Sequence, residues 1–69
     1  MMPELTALEA ARVVSMNREA IRRWRVGESI QARKVGLRGD WRVDIDDLRR
    51  FAREHNYQFD EALAEKFAK

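Results

Sequence analysis

The 69-residue chain has no cysteine, which excludes a disulfide framework or a thiolate metal site and fits a reducing compartment. Its one histidine, His55, excludes a multi-histidine metal centre. One proline, Pro3, and only three glycines leave few positions where regular structure is interrupted. No apolar run approaches the length of a membrane span, and Met1-Met2-Pro3-Glu4 lacks the basic-then-apolar form of a signal peptide. The expectation is one cytoplasmic domain over residues 1–69, with no membrane attachment, metal or cofactor, near the size where a single core just suffices.

What the chain does contain is charge, unevenly placed. The net charge is only +2, yet residues 12–42 hold nine Arg or Lys against three acids, a balance of +6. Residues 1–11 and 43–69 each carry −2. One cationic surface on an otherwise balanced protein is expected of a chain that meets phosphates.

The segment from Asn17 to Arg25 concentrates this charge. Asn17 is a good N-cap, and Ala20, Ile21 and Trp24 form one apolar stripe at helical spacing. Arg18, Glu19, Arg22, Arg23 and Arg25 then point outward. So many arginines on a short helix repel one another unless a polyanion meets them, and the surface suits a DNA groove.

The rest of the pattern surrounds that helix. Thr6-Ala7-Leu8-Glu9 reads as a capping box with Leu5 as a hydrophobic staple, and helix 1 follows with Leu8, Ala10, Ala11 and Val14 as its apolar face. The short turn Ser15-Met16 makes the pair a helix-turn-helix. Gly27 reads as a helix stop. Ala32–Val35 and Trp41–Val43 read as strands around a loop with Gly36 and Gly39, a hairpin that would form a wing carrying Arg33, Lys34, Arg38 and Arg42. Asp44 caps a third helix with Asp47 at its N3 position and Ile45, Leu48, Phe51 and Ala52 inward, ended by His55-Asn56. Residues 57–69 add a helix capped by Asp60 and running through Leu63 and Phe67, with Tyr57 and Phe59 pinning the connection. Trp24 and Trp41 read as core. Asp44, Asp46 and Asp47 are the one cluster of carboxylates, at a helix N-terminus where negative charge is favourable for structural reasons alone, so no catalysis is expected.

The order of elements and the residues Leu5-Thr6, Glu9-Ala10-Ala11, Ile21-Arg22-Arg23-Trp24, Lys34-Val35-Gly36, Trp41-Arg42-Val43-Asp44 and Asp47-Leu48 resemble the excisionase family. These are phage-type recombination directionality factors, small winged-helix proteins related to the DNA-binding part of MerR-type regulators. The resemblance covers residues 5–52. It implies a mainly α fold with a small β-hairpin, a winged helix-turn-helix. It also implies Glu19 and Arg23 reading base edges in the major groove and Arg38 entering the minor groove. Val26 stands where some excisionases have a further DNA-contacting arginine, and Arg25 neighbours it. The implied function is a sequence-specific, DNA-bending protein that acts on attachment-site double-stranded DNA in several head-to-tail copies and directs an integrase toward excision. The alternative is a small winged-helix transcriptional regulator of the MerR-like class. The fourth helix, outside the resemblance, either supplies contacts between copies or covers the core.

Overall fold

Thr6 ends a strand and starts a helix. In the computed structural model, which describes residues 4–37 and 39–68, Glu4–Thr6 is strand β1 and Ala7–Val13 is helix α1. The capping box forms as expected: Glu9 N–H donates to Thr6 Oγ1 at 3.1 Å, and Thr6 N–H donates to Glu9 Oε1 at 2.9 Å. Leu5 and Ala10, the staple pair, are both fully buried. The inward face of α1 differs from the expected one. Ala7, Ala10, Ala11 and Val14 follow the i, i+3, i+4, i+7 stripe, whereas Leu8 falls on the far side and is 48% exposed. The strand before the helix sets this rotation, because Leu5 must point into the core.

Helix α2 spans Arg18–Val26, capped by Asn17 through a 2.9 Å bond from Ala20 N–H. Strands β2 (Ala32–Val35) and β3 (Asp40–Asp44) form the expected hairpin. Strand β1 was not expected. It pairs antiparallel with β3, Leu5 opposite Val43, giving a three-stranded sheet in the order β1-β3-β2. Helix α3 spans Ile45–Glu54, capped by Asp44, and buries the four apolar residues expected of it. Asp47, at N3, ties α3 to the approach to β2, accepting from Gln31 N–H. Helix α4 spans Glu61–Ala68, with Asp60 accepting from Leu63 N–H and donating through its own N–H to Val13 O. The described residues thus form four helices and a small antiparallel sheet, and none of the helices is long and apolar enough to cross a membrane.

Leu5, Val13, Val14, Ile21, Val43 and Leu48 are the largest fully buried side chains, one or more from each of β1, α1, α2, β3 and α3. Ile30, in the connection after α2, is also buried and was not foreseen. Helix α4 adds Ala64 to this core and lays Leu63 and Phe67 against it, so its apolar side serves as cover. Trp24 packs with tilted rings on Phe51 at 4.6 Å and Tyr57 at 5.1 Å, fixing α2 against α3 and the Tyr57 connection.

Helices α1, α2 and α3 share one way of stopping. Past α2, Glu28 N–H bonds Arg25 O and Ser29 N–H bonds Trp24 O, the double bond pattern of a Schellman turn. The left-handed residue this turn requires is Glu28 (φ 58°) rather than Gly27, which is the cap itself at φ −79°. Ser15 (φ 57°) and Asn56 (φ 59°) do the same after α1 and α3. Among the described residues, the Glu28 side chain makes no hydrogen bond that compensates this conformation. Glu28→Gly is therefore expected to stabilise the fold by about 0.5–1 kcal/mol, read as a rise of about 2–8 °C in a thermal melt.

Candidate nucleic-acid interface

Successive helix residues turn through about 100°, so burying Ala20, Ile21 and Trp24 dictates what α2 shows to solvent. Glu19, Arg22 and Val26 lie at the centre of the outward face, with Val26 62% exposed. Arg18 and Arg25 lie on the flank toward the hairpin, and Arg23 lies on the opposite flank. A groove runs between α2 and β3, lined by Arg18, Glu19, Arg22 and Arg25 on the helix and by Trp41 and Val43 on the strand.

The hairpin side of the groove follows from register. Ala32 pairs with Val43 and Lys34 with Trp41, so these four share the face of the sheet that looks toward α2. Arg33 and Arg42, opposite each other, lie on the outer face. Trp41 is half-buried at the groove and not in the core where the sequence had put it, and the Arg25 guanidinium carbon sits 3.9 Å from the centre of its ring. Lys34 is exposed, with its aliphatic stem folded over Gly39, where a Cβ would run into Lys34 Cε. Gly39 is left-handed, at φ 73°, and this backbone conformation is what favours glycine here, since the flexible end of Lys34 could move aside. Leu37 is fully exposed in the loop; Arg38, expected at the tip of the wing, lies outside the described residues.

The structure separates the arginines into two groups. On α3, Arg49 bonds Glu61 at 2.8 Å and Asp46 at 2.7 Å, and Arg50 bonds Asp47 at 2.8 Å and Glu54 at 3.0 Å. Arg33, expected to contact DNA from the wing, instead makes a two-pronged bond to Glu4 at 2.7 and 2.8 Å across the outer face of the sheet. These bonds leave an imprint on the acids: hydrogen bonds from Arg33 hold the Glu4 carboxyl below the ordinary glutamate range, and those from Arg49 do the same to Glu61. Exposed pairs of this kind add little stability, and their main effect is to cancel charge locally.

The second group is uncompensated. Among the described residues, Arg18, Arg23 and Arg25 have no carboxylate within ion-pair distance, and the one acid near Arg22 is Glu19, at 3.4 Å and exposed. Lys34 and Arg42 are likewise without a carboxylate partner among the described residues. Arg42, half-buried, borders a second depression with Arg18, Leu8 and Asp40. Positive charge is thus neutralised at Arg33, Arg49 and Arg50 and left open on α2 and at Lys34 and Arg42; Arg12 and Arg53 are also without an acid partner among the described residues but do not line the groove. Asp44, Asp46 and Asp47, the carboxylates considered for chemistry, are occupied in capping, in holding Gln31 and in binding Arg49 and Arg50.

Of the residues singled out in the sequence, the fold places Asn17, Arg18, Glu19, Arg22, Arg23 and Arg25 on or capping α2, Lys34 and Arg42 on the hairpin, and Arg33 in an ion pair with Glu4. The groove position of Trp41 differs from the core position its type suggests, although the alternation in Asp40-Trp41-Arg42-Val43 places it on the same side as the buried valine. Comparison with protein-family models, with curated proteins and with solved structures finds no match for this chain.

Proposed function

We propose that this chain is a winged helix-turn-helix protein that binds double-stranded DNA without catalysing a reaction on it, α1 and α2 being the helix-turn-helix and β2–β3 the wing. Within that class, its resemblance over residues 5–52 favours an excisionase that bends attachment-site DNA and directs an integrase toward excision. The observation that carries the DNA reading is where open charge collects: among the described residues Arg18, Arg23 and Arg25 of α2 have no acid partner, whereas Arg33, Arg49 and Arg50 elsewhere are each held by carboxylates. The outward face of α2 has the charge to lie in a major groove, with Arg18 and Arg25 toward the phosphates of one strand and the i, i+4 neighbours Glu19 and Arg23 toward base edges.

The test compares the two groups of arginines on a selected DNA site and on mixed-sequence duplex. Arg23→Ala is expected to cost about 1–3 kcal/mol on the selected site and less on mixed sequence, as for a base contact. Arg49→Ala, which removes an already neutralised charge, should leave both affinities unchanged. Equal losses from the two substitutions would overturn the assignment of the interface. An excision assay with a cognate integrase then tests the finer reading; tight DNA binding with no effect on excision identifies a transcriptional regulator instead.

A further inference from the structure

The hairpin touches α2 through a contact that packing alone does not require, Arg25 over Trp41 at 3.9 Å. Trp41 faces α2 from β3, with Lys34 opposite it on β2. Both members of the pair are half-buried, and Arg25 has no carboxylate partner among the described residues. A guanidinium lying on an indole ring is attracted by the ring face while its in-plane N–H donors stay available for a phosphate. The same groove is lined by Arg18 and Arg22, so three guanidinium groups converge on one depression between helix and hairpin.

We propose that this groove seats the phosphate backbone of one DNA strand and that Trp41 is its positioning residue, holding Arg25 in place before DNA arrives. The inference rests on the DNA-binding reading and adds to it the path of one strand. Without the ring, Arg25 becomes an ordinary mobile surface arginine that must be ordered on binding, a penalty equivalent to about two- to tenfold in affinity.

Affinity and its salt dependence are measured on a mixed-sequence duplex for wild type, Arg25→Ala, Trp41→Leu, the double variant, Trp41→Phe and Arg25→Lys. Arg25→Ala should bind about tenfold more weakly and reduce the salt slope by about 0.9. Trp41→Leu removes no charge, so it should lose about two- to tenfold with the slope unchanged. The double variant should bind no more weakly than Arg25→Ala, and Trp41→Phe, which keeps an aromatic face, should stay close to wild type. Arg25→Lys keeps the charge, loses the planar stack and leaves the hairpin intact; it should lose affinity at an unchanged slope even where Trp41→Leu fails to fold. Penalties that multiply in the double variant, or an Arg25→Lys that binds as tightly as wild type, would overturn the positioning role alone. Wild-type affinity that does not depend on salt overturns the DNA reading itself.

Discussion

Raising the salt from about 50 to about 200 mM is expected to weaken binding to duplex DNA by about 10²–10³-fold, the loss for about four to six neutralised phosphates that each release condensed counterion. On the proposed reading Arg18, Arg22, Arg25, Lys34 and Arg42 supply these contacts: they lie on α2 or the hairpin, and among the described residues none has an acid of its own apart from the long Arg22–Glu19 approach. Arg33, Arg49 and Arg50 are held by carboxylates at 2.7–3.0 Å and should contribute almost nothing to the slope. A titration read by fluorescence anisotropy at several salt concentrations gives the slope directly. A flat line would mean that the open cations serve another partner.

Ending the chain at Asn56 is expected to abolish cooperative folding. The cut removes Ala64 from the core, and with it Phe59, Leu63 and Phe67, which pack against the core, and Tyr57, which packs on Trp24. It also removes the Asp60–Val13 backbone bond and the Glu61 partner of Arg49. Phe59, Leu63 and Phe67 are partly buried, so each costs less than the roughly 2–5 kcal/mol of a fully buried side chain, yet together they approach the total stability of about 5 kcal/mol of a domain this small. Circular dichroism should show a broad, non-cooperative melt for the truncated chain, and Phe67→Ala in the full chain should lower Tm while leaving one sharp transition. A truncated chain that stayed folded and monomeric would return α4 to the assembly role that the sequence left open.

Local rules placed most elements because the signals are local. Thr6 with Glu9, Asn17, Asp44 and Asp60 each cap a helix within four residues, and these positions could be found without any tertiary information. Glycines on either side of Leu37 located the hairpin for the same reason. Strand β1 escaped because three residues are too few to show alternation, and its pairing partner lies nearly forty positions away. The face of α1 was misjudged at Leu8 because a seven-residue helix accommodates two adjacent stripes, and only the entry of β1 into the sheet selects one.

The amino-acid sequence by itself determined where helices begin, which segment concentrates positive charge, and which face of α2 is apolar, since capping, charge and helical period are properties of neighbouring residues. Only the tertiary structure decided which charges remain open. Glu4 reaches Arg33 and Glu61 reaches Arg49 across distant parts of the chain, and those pairings depend on how strands and helices pack. The position of Trp41 was decided the same way: alternation gave its side of the strand, but the packing of hairpin against helix put it under Arg25 rather than in the core. Charge can be counted along a chain, whereas its cancellation is set by contacts of a few ångströms that exist only once the chain has folded.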